Sequence, residues 1–171
     1  MIEPLHFSTE RLLIEPLSIA DSNFIFELVN SEGWLKFIGD RHIKSTADAL
    51  PYIERILANK DIFYWIVKLK SNNDSIGIIT FIKRGYLEHH DIGFAFLPTF
   101  FKTGYAFEAT NKVLEYVIPK YKLSEVLATT VPENVSSIKL LNKLGLSFQK
   151  QIEIENVSLH VYGASTDKLK L

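Results

Sequence analysis

The sequence contains no cysteine. This absence excludes a disulfide scaffold, a thiol nucleophile and a thiolate metal site. It also lacks a long apolar run, because the longest, Ile62–Val67, is far shorter than the roughly 20 residues that a membrane helix needs. The first residues, Met1–Phe7, hold Glu3 and Pro4 and lack the basic-then-apolar pattern of a signal peptide, which favours a cytoplasmic protein.

Neither sign of charge is in excess, with 19 Lys+Arg against 20 Asp+Glu. A nucleic-acid-binding surface would show clustered basic residues and a high pI, so no direct nucleic-acid binding is expected. The phosphate-binding patterns G-x-x-x-x-G-K-[ST] and G-x-G-x-x-G are both absent, which argues against a P-loop nucleotidase and a Rossmann dehydrogenase. The 171 residues show no internal repeat and no linker, and predict a single domain over residues 1–171.

Hydrophobic periodicity predicts the element order β-α-α-β-β-β-α-β-α-β-β and hence an α/β protein with a mixed sheet and helices on its faces. The predicted strands are Glu10–Pro16, Ile62–Leu69, Ile76–Ile82, Glu88–Leu97, Glu125–Val131, Phe148–Ile154 and Val157–Tyr162. The predicted helices run from Ser18 or Asp21 to about Asn30, from Ala47 to Leu57 with Thr46 as N-cap, from Thr103 or Gly104 to Ile118, where Pro119 ends it, and from Asn134 to Leu144. The segment Glu32–Asp40 is predicted to be a loop.

The most informative stretch runs from Asp91 to Ala109, where a buried strand leads through Pro98 and a short loop into a helix that opens at Gly104. Unpaired amides and the helix dipole favour an anion at such a helix start. Gly104 allows close approach of a ligand to the backbone, and Lys102 adds positive charge. The stretch therefore predicts an anion site suited to a pyrophosphate. The alternative is an ordinary strand–helix connection in which Gly104 meets only a conformational need.

The six residues from Phe101 to Ala106 resemble the pyrophosphate loop [Q/R]-x-x-G-x-[G/A] of the GNAT superfamily of acetyl-CoA-dependent N-acetyltransferases. The branch that acetylates ribosomal-protein N-termini (RimJ/RimL-like) often reads W-G-K-G-Y-A-T-E-A here. This chain has Phe101 in place of the tryptophan and Lys102 in place of the first glycine, while Gly104 and Ala106 are retained.

Three further motifs are similar to this branch, and they follow in the same order along the chain. The segment from Ser8 to Ile14 is similar to its opening strand T-E-R-L-x-L, and Phe37-Ile38-Gly39 to its F-[IL]-G loop. The segment from Pro132 to Ser137, followed by Leu144-Gly145, is similar to P-x-N-x-x-S…G-F, although Leu146 replaces the phenylalanine. The resemblance extends from Ser8 to Gly163.

The resemblance implies a single GNAT-type domain whose central sheet is mixed, mostly antiparallel, with about seven strands and about four flanking helices. In this fold the strands Asp91–Leu97 and Glu125–Val131 are parallel neighbours that splay apart, and the pantetheine of acetyl-CoA enters the gap. No metal is implied. Alternatively, Phe96 is an ordinary core residue and Asn134 serves only as a helix N-cap. The cofactor-binding residues implied are Phe96, Leu97, Pro98, Lys102, Thr103, Gly104, Tyr105, Ala106 and Asn134.

The resemblance also implies candidate catalytic residues. Asp91 falls where histone-acetylating relatives carry a glutamate base, and a bridging water would extend its reach; alternatively it is a surface strand carboxylate. Glu88 lies nearby and would extend a water relay, or else is a solvated surface carboxylate. Ser137 would donate to the leaving thiolate, or else bond to its own helix. Many members carry a tyrosine acid where this chain has Leu141.

Trp34 and Phe37 are the candidate acceptor-binding residues, or else they cover an edge of the core. The function implied is transfer of an acetyl group from acetyl-CoA to a primary amine, on a protein N-terminus or a small molecule, by direct attack on the thioester. The protein is expected to be a monomer or a homodimer. One alternative is a CoA-binding module without catalysis. Another is an antibiotic or polyamine acetyltransferase, which a cleft lined by several carboxylates would favour.

Overall fold

The described part of the chain, residues 5–171 of a computed structural model, folds into one eight-stranded sheet with five α-helices. The strands are β1 (Phe7–Ser8), β2 (Leu12–Pro16), β3 (Ile62–Leu69), β4 (Ser75–Ile82), β5 (Asp91–Phe96), β6 (Glu125–Thr130), β7 (Ser147–Ile154) and β8 (Val157–Ser165). The helices are α1 (Ser22–Val29), α2 (Glu32–Phe37), α3 (Thr46–Leu57), α4 (Tyr105–Tyr121) and α5 (Val135–Leu144).

The sheet has the order β1-β2-β3-β4-β5-β6-β8-β7. Every neighbouring pair is antiparallel except β5 and β6, which are parallel. The mixed, mostly antiparallel sheet predicted from the sequence is therefore confirmed. It has eight strands rather than about seven because the two-residue β1 pairs with β2.

Side chains on the two faces of the sheet build two separate cores, as period-two alternation requires. Trp65 and Phe81 pack on the face covered by α4 and α5. Ile66 and Ile78 pack on the opposite face, under α1 to α3. The sheet is thus covered by helices on both sides, and any opening that reaches its middle has to lie at a break between strands.

Such a break lies between β5 and β6. The two strands share only one register pair, Asp91 with Leu127, and the Leu127 N–H donates to the His90 carbonyl at 3.0 Å. Beyond this point no pairing joins them within the described residues. The predicted splay of these two strands is confirmed.

Several predicted boundaries are wrong. Residues 32–37 form helix α2 rather than a loop, and Trp34 anchors it at 5% exposure in the core under α1 to α3. Helix α3 takes Ser45 as N-cap instead of Thr46, since the Ser45 side chain accepts from the Asp48 N–H. Helix α4 continues past Pro119 to Tyr121. The proline has no N–H to donate, but the carbonyls of Ile118 and Pro119 still accept from the Lys122 N–H that closes the helix.

Strand β5 is also shorter than predicted. It begins at Asp91, and residues 88–90 belong to the connection from β4. The Lys83 ammonium donates to the Glu88 carbonyl at 2.6 Å and so closes this connection on itself. Glu88 and His90 therefore do not share a strand face with each other. Side chains within β5 alternate between the two faces of the sheet, since Ile92 and Phe96 belong to the α4 side and Ala95 to the α1–α3 side.

Candidate active site

A cavity of about 250 Å³ occupies the break between β5 and β6 and passes from one face of the sheet to the other. Its α2 end is formed by Trp34, Phe37, Ile38 and Arg41, and its α5 end by Asn134, Ser137 and Leu141. Between these ends the strands supply part of the wall, in particular Tyr64, Thr80, Asp91, Gly93, Ala95 and Thr129, and the connection after β4 supplies Arg84 and Tyr86.

Asp91 is the buried carboxylate of this cavity, with 3% of its surface exposed. Arg84, seven residues earlier on the connection from β4, donates through Nε to its Oδ2. Burial raises the pKa of the Asp91 carboxyl, while the Arg84 guanidinium and the polar groups of Thr129 oppose the rise. The result is a carboxyl that accepts a proton more readily than an exposed aspartate, held in one orientation by an arginine.

Two tyrosines stand beside this ion pair. Burial, reinforced by the neighbouring Tyr52, raises the pKa of Tyr64 far above its usual range. Burial also raises the pKa of Tyr86, against the effect of Arg84. Both hydroxyls therefore stay protonated at neutral pH, and they can donate a hydrogen bond but cannot act as bases.

The α5 end carries the polar residues of the predicted P-x-N-x-x-S motif. The Asn134 side chain accepts from the Ser137 N–H at 3.2 Å and so serves as the helix N-cap. The side chains of both residues also line the cavity, so capping and ligand contact are compatible for Asn134. Leu141, at the position of the missing tyrosine, is 2% exposed.

The loop that joins β5 to α4 has the backbone of an anion cradle. Lys102 and Gly104 have positive φ angles of 60° and 83°, and Gly104 is the N-cap of α4. Within the described residues, no acceptor lies in hydrogen-bond range of the N–H groups of residues 102–104, 106 and 107, whereas the Tyr105 N–H reaches Thr103 Oγ1 at 3.4 Å. Several amides at the start of a 17-residue helix are thus available to one ligand.

A contact missed in the sequence holds this loop in place. Glu108, in the first turn of α4, accepts from Thr9 Oγ1 at 2.6 Å and from Arg11 Nε at 2.7 Å. Arg11 also donates to the Thr103 carbonyl at 3.1 Å and places its guanidinium 4.3 Å from the centre of the Tyr105 ring. The signal was present in the T-E-R-L and Y-A-x-E segments, but only the fold brings them together.

The structure gathers some of the predicted site residues and separates others. The cavity between β5 and β6 is lined by five of them: Asp91, Ser137, Asn134, Trp34 and Phe37. Glu88 is exposed, outside the cavity lining. The predicted cofactor residues that precede the loop differ in burial: Phe96 and Leu97 are 7% and 9% exposed, while Pro98 is exposed.

Arg84, Arg41, Tyr64 and Tyr86 line the cavity although sequence reasoning did not select them. No local pattern marks them, since they come from three separate segments: the connection after α2, strand β3 and the connection after β4. Residues 5–171 contain no cluster of three or more His, Asp or Glu side chains arranged to hold a metal ion. None of the helices described is both long enough and apolar enough to cross a membrane.

Comparison with known proteins gives a consistent result. A family model described as an acetyltransferase (GNAT) domain matches residues 11–147. The uncharacterized N-acetyltransferase YnaD of Bacillus subtilis is 28% identical over 142 residues, which cover 83% of this chain and 82% of the relative. A GNAT-family acetyltransferase structure from Bacillus anthracis is 26% identical and superposes with a TM-score of 0.79, over 95% of this chain and 99% of that one.

A more distant structure shares the fold. The ribosomal-protein-S5-alanine acetyltransferase from Vibrio fischeri superposes with a TM-score of 0.80 at 16% identity, over 98% of this chain and 100% of that one. At this identity the similarity speaks for the architecture alone.

Proposed function

The chain belongs to the GNAT acetyltransferase family, and on that basis we propose that it transfers an acetyl group from acetyl-CoA to a primary amine by direct attack of the amine on the thioester. The observation that carries the proposal is the cavity at the break between β5 and β6, which is followed directly by the loop with free amides. A thioester held in this break is reachable from the opposite face of the sheet.

The loop and the break fit the two ends of acetyl-CoA. The free amides near Gly104, together with the exposed Lys102, suit a pyrophosphate. The Leu97 N–H bonds to Ile76 on β4. Because backbone groups alternate in direction along a strand, the N–H groups of Phe94 and Phe96 point away from β4, into the break. In this proposal they pair with an extended pantetheine and hydrogen-bond the thioester carbonyl.

Acetyl-CoA supplies an activated acyl group. The protein has to remove the proton of the acceptor amine and to stabilise the negative charge that develops on the thioester carbonyl oxygen. We assign the proton-accepting role to Asp91, because it is buried, lines the cavity and has a raised pKa. The Phe96 N–H would stabilise negative charge on the carbonyl oxygen. Ser137, at the α5 end, would donate a hydrogen bond to the leaving thiolate. Glu88, outside the cavity lining, has no role in this scheme.

A finer assignment, to the branch that acetylates ribosomal-protein N-termini, is supported by the motifs at Ser8–Ile14 and Phe101–Ala109. In that case the acceptor is the amino terminus of a protein, and a peptide substrate replaces a free amine. Acetylation of short peptides, followed by mass spectrometry, separates this branch from enzymes that accept only small amines.

Binding is tested by thermal unfolding with acetyl-CoA and with S-acetylpantetheine, which lacks the pyrophosphate. We expect acetyl-CoA to raise the melting temperature clearly and S-acetylpantetheine to raise it little. Gly104→Glu places a carboxylate in the amide cradle and should abolish the acetyl-CoA shift. Gly85→Glu controls for the added carboxylate, since a Cβ at Gly85 meets no atom within 4 Å. No shift with acetyl-CoA at high excess would overturn the proposal.

Catalysis is tested by thiol release in the presence of amines, with mass spectrometry of the acetylated product. Asp91→Asn should lower kcat by at least about a hundredfold, the usual lower bound for a general base, and leave the acetyl-CoA shift intact. An unchanged kcat in this variant would remove Asp91 from the mechanism.

A second candidate function is a CoA-binding module without catalysis. The buried Leu141 at the tyrosine position favours it, because no phenol is available there to protonate a thiolate. A normal acetyl-CoA shift without thiol release for any amine would establish this second candidate.

A further inference from the structure

The charged side chains that line the cavity, within the part of the chain described, are Arg41, Arg84 and Asp91. Arg84 is committed to Asp91 by their ion pair. No carboxylate among the described residues lies within 4.0 Å of the Arg41 guanidinium. The adjacent Asp40 instead accepts from the His42 N–H at 2.7 Å and has its other oxygen 3.3 Å from His42 Nδ1. The cavity therefore holds one uncompensated positive charge, at its α2 end.

The Arg41 guanidinium lies over the ring of a buried tryptophan. It lies 5.6 Å from the centre of the Trp34 ring, and Trp34 is itself 5% exposed within the core. A guanidinium has five N–H donors in a planar fork, which matches the two oxygens of a carboxylate. This contact with a buried aromatic ring uses none of the five donors of the exposed guanidinium.

The rest of the α2 end is apolar or donates hydrogen bonds. Phe37 and Ile38 supply apolar surface, and the protonated hydroxyl of Tyr64 can donate. None of the side chains at this end offers a negative charge to a second ammonium group. The uncompensated charge of Arg41 also favours the neutral form of a nearby amine, which is the form that attacks a thioester.

We infer that the acceptor is an amine that carries a carboxylate on an apolar or aromatic body, and that Arg41 binds this carboxylate. The inference rests on the proposed function and names the substrate class of the same site. The carboxylate can belong to a small amino acid-like molecule or to an acidic residue next to the amino terminus of a peptide. A polyamine is the opposite kind of acceptor, because it brings further positive charge to Arg41.

The first test compares acceptors that differ only in the carboxylate. At saturating acetyl-CoA, kcat/KM is measured for 4-(aminomethyl)benzoate, 4-(aminomethyl)benzamide, benzylamine and spermidine. A peptide arm uses Ala-Glu-Leu and Ala-Gln-Leu. We expect the carboxylate to raise kcat/KM by about tenfold or more in at least one of the two matched pairs, and the responding pair identifies the source of the carboxylate. Equal values within both pairs, or a preference for spermidine, would overturn the inference.

The second test removes the charge. Arg41→Gln should reduce the ratio of kcat/KM between the carboxylate and the amide member of the responding pair to near one. The variant should raise KM for the carboxylate member and leave KM for the amide member unchanged. Lys44→Gln is the matched control, since it removes one positive charge from the same segment outside the cavity lining. Both variants should keep the melting temperature and acetyl-CoA shift of the wild type. A preference that survives in Arg41→Gln would contradict the role of Arg41.

The two proposals fail in different ways. If benzylamine is acetylated but neither carboxylated acceptor is preferred, the acetyltransferase function stands and the acceptor class is wrong. If acetyl-CoA binds but none of the six amines is acetylated, the proposed function itself fails and the acceptor class fails with it.

Discussion

Arg11 and Glu108 form an ion pair with Nη2 and Oε2 2.7 Å apart, although 97 residues separate them along the chain. Through Arg11 this pair also reaches the carbonyl of Thr103 and the ring of Tyr105. The start of β2, the β5–α4 loop and the first turn of α4 are therefore connected by one side chain. The shape of the loop is held by contacts within the protein rather than by a ligand.

Replacing Arg11 should weaken acetyl-CoA binding more than it weakens the fold. The guanidinium is partly exposed, so Arg11→Ala is expected to lower the free energy of unfolding by only about 1 kcal/mol. Acetyl-CoA affinity should fall by about tenfold, because an unrestrained loop has to be ordered on binding. Arg11→Lys should restore the charge but not the affinity, since an ammonium lacks the fork that joins Glu108 to Thr103. Denaturant unfolding and calorimetric titration measure the two effects.

A control for this prediction lies on the same helix. Lys112 and Glu115 form an exposed pair at 3.1 Å, three residues apart. Lys112→Ala should change both quantities very little, as is usual for such pairs. Equal effects of the two alanine variants on affinity would show that Arg11 does not position the loop.

Removing Arg84 should destabilise the protein in a pH-dependent way. Arg84→Gln leaves the buried Asp91 carboxylate without its partner, and we expect the free energy of unfolding to fall by about 3 kcal/mol at pH 8. The pKa of Asp91, already raised by burial, rises further. Above about pH 4 the unfolded chain releases the Asp91 proton, whereas the folded variant keeps it. The free energy of unfolding of the variant therefore declines as pH rises from about 4 towards the raised pKa of Asp91 in the folded state.

Urea unfolding at pH 5 and pH 8 tests this behaviour. Asp91→Asn should remove the extra pH dependence, and the double variant should lose less stability at pH 8 than Arg84→Gln alone. A pH-independent loss in Arg84→Gln would mean that the carboxylate is not left uncompensated.

His90 should make the protein less stable in mild acid. Its ring lies parallel to that of Phe81, with centroids 4.4 Å apart, and burial together with Lys83 lowers its pKa. The folded state therefore takes up the proton at lower pH than the unfolded state. Stability is complete above the unfolded pKa of about 6.5 and falls as pH decreases towards the folded value. His90→Gln should flatten this slope between pH 7.5 and 5.5, whereas the exposed His6→Gln should leave it unchanged.

Asn134 allows capping and ligand contact to be separated. Asn134→Ala should cost about 1 kcal/mol of stability, because the Ser137 N–H loses its acceptor. Asn134→Ser keeps a capping oxygen and should cost only a few tenths of this amount. If Asn134 also contacts the pantetheine, both variants lose acetyl-CoA affinity. Normal affinity in Asn134→Ser would leave only the capping role.

The sequence predicted those parts of the fold that are determined by local patterns. Ala109, Val113 and Val117 are apolar at helical spacing within the predicted α4, and all three residues are fully buried. Gly104 and Gly145 flank helices with positive φ angles, as their positions indicated. Helix α2 was missed because Gly33 and Gly39 suggested a loop, whereas burial of Trp34 against α1 and α3 outweighs the poor helix propensity of glycine.

The candidate site was predicted mainly where a motif spans consecutive residues. Asp91, Asn134 and Ser137 each belong to such a motif, and all three line the cavity. Arg84 and Arg41 belong to none, and their positions depend on how the connections after β4 and α2 fold back over the sheet. Glu108 was visible as part of a motif, but its partners Thr9 and Arg11 are adjacent to it only after the sheet and α4 have packed.

The single register pair between β5 and β6 has a consequence for the lifetime of the protein. Beyond this pair, β5 and β6 form no hydrogen bonds to each other within the described residues, and a molecule that pairs with their free edges adds hydrogen bonds there. Such a ligand stabilises only the folded chain, by RT ln(1 + [L]/Kd), or about 2.7 kcal/mol at a hundredfold excess over Kd. Resistance to proteolysis is then set partly by the concentration of that molecule in the surroundings, so the chain persists longest when its donor substrate is plentiful.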